Sequence, residues 1–430
     1  MVENPFPPSL VLTPLSRRPI ELPPATVQEV MQGTVPKAPL QRDRRFKSVS
    51  IVVVTYNNLV FTRLCLASVL AHTPYPNYEI IIVDNASIDG TAPYLRQLAQ
   101  QNAHVRVRFN TTNRGFAAAN NQGIASATGD VLVLLNNDTI VTPGWLMRLT
   151  SHLKNPATGA VGPVTNRCGN EAEIETSYDS YGTLLDFAQN HVPRHTGEHF
   201  DIAMLAMFCM ALRRDTYEQI GPLDERFGIG MFEDDDYAMR LRAEGYGLVC
   251  ATDVFVHHFG EASFGELACR GKYGPLFHAN RQRFEEKWNR CWQPHQRQQS
   301  FRYQDTIRQI QTIVREAIPS HATVAVVSKG DEALLQLDGR RAWHFPQSDD
   351  GGYAGYYPAN SAEAIDQLEA IRSRGATYLL VPQSAFWWLD YYTGLKQHLD
   401  VHYPVHVAHE DTCMIVALSP PIHQKHTRPA

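Results

Sequence analysis

Hydrophobic positions change their period several times along the chain, and each change predicts an element. Val49–Val54 is rich in β-branched residues, the pattern of a strand buried on both faces. Cys65, Leu66, Val69 and Leu70 then recur at helical spacing. Tyr78–Val83 predicts a second buried strand, Ala92–Gln101 a helix, Val105–Phe109 a third strand, and the Ala-rich Phe116–Ala127 a further helix. Val131–Leu135 predicts a fourth strand, followed by a helix from Trp145 to Leu153. Strands alternating with helices at this spacing imply right-handed crossovers and a mainly parallel sheet.

Residues 155–260 read as less regular, with connections rich in Gly, Pro, Asn and Tyr. Helical period returns at Asp235–Glu244 and Phe277–Trp288, and the polar stretch Gln293–Ser300 leads into a helix over Arg302–Ala317. Beyond Pro319, strands are expected at Thr323–Val327, Ala342–Phe345, Tyr378–Val381 and Val401–Val407, with helices at Ala362–Arg374 and Ala385–Leu399. That pattern describes a second, smaller α/β domain with no repeat linking it to the first. At the other end, nine of the 27 prolines fall in the first 40 residues, ahead of the basic stretch Arg42, Arg44, Arg45, Lys47. Proline removes backbone donors and favours extended chain, so this segment is expected to be an arm packed on its own domain. The expected division is an arm at 1–47, a first domain at 48–300, a helical linker at 301–320, an accessory α/β domain at 321–418 and a tail at 419–430.

Composition narrows the function. The 430 residues carry 39 Lys+Arg against 44 Asp+Glu, a net charge of −5, which excludes a basic nucleic-acid binder held by its overall field. The longest apolar run, Ile202–Leu212, is closed by Asp201 and Arg213 and is too short to span a bilayer. The N-terminal MVENPFPPSL lacks a secretory pattern, and seven cysteines without Cys-x-x-Cys spacing read as reduced thiols. The expectation is a soluble intracellular protein.

Ligands of an open parallel α/β sheet bind outside the carboxyl ends of its strands. Here every strand end is polar: Tyr56, Asn57 and Asn58 after the first, Asp84 to Thr91 after the second, Asn113–Gly115 after the third, and Asn136, Asn137 and Asp138 after the fourth. Ser87, Asp89 and Thr91 alone would read as a helix cap. Four such clusters on one edge read as a ligand site. Neither GxGxxG nor GxxxxGK[ST] occurs, so phosphate neutralisation falls to a divalent ion on Asp138, with Arg114 as a second contact. Glu233–Asp236 are four consecutive carboxylates at a helix start amid apolar sequence. Crowding and burial raise carboxylate pKa values and suit a general base. His257 and His258 close a strand-like segment and offer a metal contact.

In order along the chain, SIVVVTYNN, IIIVDNASIDGT, NRGFAAANNQG, GDVLVLLNNDTIVTPGW, FEDDDYAMRLRAEGY and VHHFGEAS resemble the motifs of the family 2 inverting glycosyltransferases. The resemblance runs from about Ser48 to Ser263 and is nearest to the rhamnosyltransferase-like branch that builds bacterial surface polysaccharides. It implies a GT-A nucleotide-sugar-binding fold, a Rossmann-like, mainly parallel α/β sheet, and a metal-dependent transfer from a nucleotide-diphosphate sugar to a carbohydrate or lipid-linked hydroxyl acceptor. By resemblance, Tyr56, Asn57, Asp84, Arg114, Asn136 and Asn137 bind donor; Asp138 and His258 hold Mn²⁺ or Mg²⁺, with His257 as the fallback. Asp234 is then the catalytic base, paired with Glu233. Asn136 and Asn137 stand where the family motif carries acidic residues, a departure that lowers the charge around the metal. A cytoplasmic location follows, with peripheral association at the inner face of the plasma membrane left open. The competing readings are a sugar nucleotidyltransferase, which would need a Gly-rich basic loop after the first strand, and a silent nucleotide-sugar-binding module, which would have lost Asp138 or Asp234.

Other signals are discounted. His191, His195 and His199 have helical spacing, but Pro193 and Gly197 are expected to interrupt that helix. His402, His406 and His409 lie in a strand-like segment. The aromatic run from Phe386 to Tyr392 shares a helical stripe with Leu395 and Leu399, the mark of core packing. Asp349–Tyr357 reads as a loop.

Overall fold

A computed structural model describes residues 4–17, 20–38, 47–260, 272–293, 295, 301–348, 351–409 and 411–418. Arg42, Arg44, Arg45, the Glu261–Ser263 end of the last motif, most of Gln293–Ser300, Asp349 and the 419–430 tail lie outside the described residues. The chain forms two compact units, one of residues 1–266 with 279–298, the other of 267–278 with 299–430.

The first unit is built on β1 (Val49–Thr55), α1 (Leu59–His72), β2 (Tyr78–Asp84), α2 (Thr91–Gln101), β3 (Val105–Phe109), α3 (Phe116–Ser126), β4 (Val131–Asn136), β5 (Thr139–Val141) and α4 (Trp145–Ser151). It continues through β6 (Thr158–Val164), α5 (Tyr181–Arg194), β7 (His199–Asp201), β8 (Cys209–Arg213), α6 (Arg214–Ile220), α7 (Glu233–Ala243), β9 (Gly247–His258) and α8 (Tyr273–Trp288), whose first turns cluster with the second unit. The nine strands form one sheet in the order β3-β2-β1-β4-β8-β6-β9-β5, with β7 pairing β9. The pairs β1–β2, β1–β4, β2–β3 and β6–β9 are parallel, and β8, β5 and β7 run against their neighbours. Six of the nine strands therefore share one direction, the mainly parallel sheet expected.

The apolar runs of the central strands follow from burial on both faces. Ile51 and Val53 enter one core with Leu66, Leu95 and Trp145, while Val52 enters the other with Leu132, Leu134 and Phe61. The segment 155–260, expected to be less regular, contributes four of the nine strands. Its apolar run, read only as too short for a membrane, ends in the buried central strand β8. At the N-terminus, Phe6, Leu10, Leu12 and Val30 join the core that holds Val52, and Arg63 donates to the carbonyls of Val30 and Gly33. Among the described residues no helix is long and apolar enough to cross a membrane.

The second unit has a five-stranded sheet from β10 (Thr323–Val326), β11 (Arg341–His344), β12 (Tyr378–Pro382), β13 (Val405–His409) and β14 (Cys413–Ala417), in the order β11-β10-β12-β14-β13. Its helices are α9 (Phe301–Ala317), α10 (Ser361–Ser373), α11 (Trp387–Tyr391) and α12 (Thr393–His402). Three expectations change. Val401 and His402 end α12 and the strand starts only at Val405: Leu399 is the helix's last buried anchor, and Val401 faces solvent. The single helix expected over Ala385–Leu399 is broken at Tyr392, whose phenol is drawn to the Pro358 carbonyl. Pro193 lies inside α5 but one residue from its end, so the donor it lacks and the clash of its ring with the Gln189 carbonyl disturb only the last turn. Trp388, Tyr392, Leu395 and Leu399 are core residues, as their stripe suggested.

Candidate active site

Strand register gathers the predicted loops. Thr55 pairs with Asp84 and Val54 with Asn136, so the ends of β2, β1 and β4 stand side by side. Asp84 is buried, and its Oδ1 accepts from Thr55 Oγ1 at 3.0 Å and from Ser87 Oγ at 2.5 Å. Ser87 Oγ in turn accepts from the Asn57 amide at 2.7 Å, and Asn57 Oδ1 accepts from the Ile88 amide. Asn57 and Asn58 both have left-handed backbone, which asparagine tolerates, turning the chain sharply into α1 and leaving Tyr56 exposed. Asp89 caps the amides of Leu59 and Thr91, so that part of the motif is a helix cap. The Asn137 side chain donates to Thr62 Oγ1 at 2.9 Å, and the Asn136 amide donates to the Phe208 carbonyl. Both asparagines thus brace the turn around Asp138.

Asp138 is buried between β4 and β5, and its Oδ1 lies 3.4 Å from Nε2 of His258 at the end of β9. His258 Nδ1 is 2.9 Å from the Arg167 carbonyl, which can only accept, so the proton sits on Nδ1. In the neutral ring, the Nε2 lone pair then faces Asp138. The ring is further fixed by stacking on Phe208 at 4.8 Å and by its own amide on Asn166 Oδ1. A carboxylate oxygen and an oriented imidazole nitrogen are donors of the kind a divalent ion takes, with the carbonyl beneath setting the tautomer. Among the described residues no three His, Cys, Asp or Glu side chains gather around one point, so phosphate and water would complete the shell. His257 points the other way, as alternation along a strand requires. It is buried against Phe259, with Nδ1 2.7 Å from the Tyr178 hydroxyl.

The third cluster opens α7. Met231 and Phe232 both have positive φ, 79° and 73°, an uncommon pair for large side chains. The loop is held by Asn280, fully buried, whose side chain donates to the Phe227 and Gly230 carbonyls at 2.8 Å each. The four carboxylates then separate into two kinds. Asp236 is fully buried against cations: Oδ1 meets Lys287 Nζ at 2.5 Å and Trp288 Nε1 at 3.0 Å, and Oδ2 lies 3.2 Å from Arg240. Asp235 Oδ1 accepts from Trp292 Nε1 at 3.0 Å and lies 2.7 Å from His295 Nε2. Glu233 is buried with Oε2 unpartnered, and Asp234 Oδ1 accepts only the amide of Asp235. Burial first, and then the neighbouring carboxylates, pushes Glu233 up to about 8 and Asp234 up to about 7.

One loop ties the sheet edge to this helix. Asn85 accepts from the Arg114 amide and donates to the Gly115 carbonyl, and the Phe116 amide donates to the Ile229 carbonyl. Gly115 has φ +82°, and a Cβ there would lie 1.9 Å from the Gly228 carbonyl oxygen. Only glycine lets the two loops come this close. The Arg114 side chain is exposed beside them.

Sequence reasoning missed Ser87 as the bridge from Asp84 to Asn57. It also missed the partners of the acidic run, Lys287, Trp288, Trp292 and His295. These lie 50 to 60 residues downstream, and no local pattern links them to α7.

Residues 50–221 match the family model described as glycosyl transferase family 2. An uncharacterised protein of Sinorhizobium fredii is 25% identical over 50% of this chain and 25% of its own length. The O-antigen biosynthesis protein RfbC of Myxococcus xanthus is 28% identical over 60% of this chain and 21% of its own. The glycosyltransferase AglE of Haloferax volcanii is 28% identical over 51% of this chain and 69% of its own. The chain thus spans about a quarter of the first two relatives. Among solved structures, a mannosyltransferase of Pyrobaculum calidifontis in complex with GDP-Man and Mn²⁺ gives a TM-score of 0.42 at 21% identity, covering 60% of this chain and 70% of that one. GalNAc-T7 with UDP, GalNAc and Mn²⁺ gives 0.44 at 17%, covering 67% and 68%. The first unit therefore contains a stretch, residues 50–221, that is similar to glycosyl transferase family 2, and it lies on a mainly parallel sheet.

Proposed function

We propose that the protein is a metal-dependent inverting glycosyltransferase that moves a sugar from a nucleotide-diphosphate donor to a hydroxyl acceptor, with Asp234 as the base. The finer assignment, to the rhamnosyltransferase-like branch and to synthesis of bacterial surface polysaccharide or glycoconjugate, rests on the order of motifs and on the likeness to an O-antigen protein. The observation that carries the proposal is the division of the four carboxylates: among the described residues, Asp235 and Asp236 are held by cations and indoles, while Glu233 and Asp234 form no ion pair at the helix start.

Tyr56 and Asp84 hold the nucleoside, with the Asp84 carboxylate fixed in place by Thr55 and Ser87. Asn57, Asn136 and Asn137 shape the donor loops, and Arg114 supplies positive charge beside them. Asp138 and His258 hold the metal. An imidazole ligand suits Mn²⁺ better than Mg²⁺, which prefers oxygen. An ion held there would supply the positive charge that the departing diphosphate needs. Asp234 takes the acceptor proton as the new bond forms on the face opposite the leaving group, which inverts the anomeric carbon. A carboxyl raised toward neutrality is a stronger base than an ordinary aspartate while still ionising near pH 7. The acceptor, carbohydrate or lipid-linked, would be met in the cytoplasm or at the inner face of its membrane.

The test is a thermal-shift panel of nucleoside diphosphates and nucleotide sugars, each with and without Mn²⁺. Stabilisation by one nucleoside diphosphate series, dependent on Mn²⁺, is expected. A panel with no metal-dependent response would refute the reading.

A further inference from the structure

Asp235 and His295 sit outside the chemistry described so far, yet they adjoin the base. The imidazole Nε2 of His295 lies 2.7 Å from Asp235 Oδ1, with both side chains largely buried, 17% and 13% exposed. The segment that brings His295 there is itself anchored. The Trp292 amide donates to Glu285 of α8 at 2.9 Å, its indole donates to Asp235, and its ring packs edge-on against Phe232, the residue that opens α7.

We propose that His295 is a positioning residue for the base: as an imidazolium held on Asp235, it neutralises the carboxylate next to Asp234 and keeps Asp234 unprotonated and ready to take the acceptor proton. This rests on the reading of Asp234 as the base. Among the described residues, the charged groups that act on the ring are Asp235 and Asp234 from α7 and Glu171 from the loop after β6, whose Oε2 is buried and unpartnered. All three are acidic. Burial alone would lower the imidazole's pKa, but the bond to Asp235 and the charges of Asp235, Asp234 and Glu171 outweigh it, so the ring stays charged above the ordinary histidine range. Its charge acts on Asp234 in the opposite sense, favouring the carboxylate. Without it, burial and the adjacent negative charge of Asp235 would drive Asp234 to hold its proton.

A merely structural clamp would need only a hydrogen-bond donor on Asp235, which glutamine can supply. His295→Gln therefore separates charge from bonding. Carboxyl-carbon NMR of labelled aspartate, with Asp234 assigned by its loss in Asp234→Asn, follows the ionisation of the base in the full-length protein. His295→Gln is expected to raise the Asp234 midpoint by about one pH unit, roughly tenfold less ionised base on the acidic side, the effect of removing one nearby partly buried charge. An unmoved midpoint overturns the proposal. A second measurement needs no variant that must fold: the His295 ring proton of the wild type, assigned by its contact with the Trp292 indole, should titrate above 6.5. Titration at or below that value overturns the proposal equally. Where a donor is turned over, the acidic limb of the rate should move with the Asp234 midpoint. Where none is, the enzyme reading fails, and the two titrations still decide the role of His295.

Discussion

His258 Nε2 and Asp138 Oδ1 face each other at 3.4 Å, and the Arg167 carbonyl beneath His258 fixes which nitrogen carries the proton. This pair predicts metal dependence in a specific form. EDTA should abolish transfer, and Mn²⁺ should restore it. Asp138→Ala should remove the Mn²⁺-dependent part of nucleoside diphosphate binding while changing nucleoside binding by less than about threefold, because Asp84 and Tyr56 lie on other strand ends. Calorimetric titration with the nucleoside and its diphosphate measures both. Full activity in chelator would contradict the assignment.

A stability prediction attaches to Gly115. Its positive φ and the 1.9 Å approach of a Cβ to the Gly228 carbonyl mean that Gly115→Ala must separate the two loops. The cost expected is about 2 kcal/mol or more, from backbone strain and displaced packing together. Denaturant unfolding of the variant against wild type reads it directly.

Glu233 gives a pH prediction whose sign follows from its raised pKa. In the unfolded chain it ionises near its ordinary 4.5, whereas the folded protein holds the proton up to about 8. Between those values the unfolded state binds fewer protons, so this group makes stability fall as pH rises. Glu233→Gln removes the charge and keeps the shape. It should stabilise the protein by an amount on the order of 1 kcal/mol at pH 8 and by almost nothing below pH 4. Melting temperatures of the two proteins across that range provide the check.

Legibility in the sequence tracked how local the cause was. β1, β2 and β4 were readable because each is buried on both faces and spells it out in consecutive apolar residues, with Ile51 and Val53 on one side and Val52 on the other, and the edge strand β3 by its alternation of Val and Arg. β9 was read only at its end, around His257 and His258, because polar Thr252 and Asp253 interrupt it: Asp253 accepts from the Gly197 amide and meets His152 at 2.7 Å, contacts with distant segments. The break at Tyr392 depends on Pro358, and the C-terminal strand boundary on where pairing with the distant Val416 begins, at Val405. The acidic run was visible as a cluster, but its division into held and unheld carboxylates was not. That division is set by Lys287, Trp288, Trp292 and His295, which only the fold brings to α7.

The two kinds of carboxylate supply the most direct test of the central claim, that Asp234 is the base of a glycosyl transfer. Asp234→Asn and Asp236→Asn should be compared side by side for transfer rate and donor affinity, at equal amounts of folded protein. Asp234→Asn keeps the shape but cannot take a proton, so the rate should fall by about 10²-fold to 10⁴-fold with donor affinity nearly unchanged. Asp236→Asn breaks a buried contact to Lys287 and Arg240. It should cost about 3 kcal/mol of stability, while the folded protein keeps its rate within about tenfold. A near-normal rate for Asp234→Asn, or a larger loss for folded Asp236→Asn, would contradict the account.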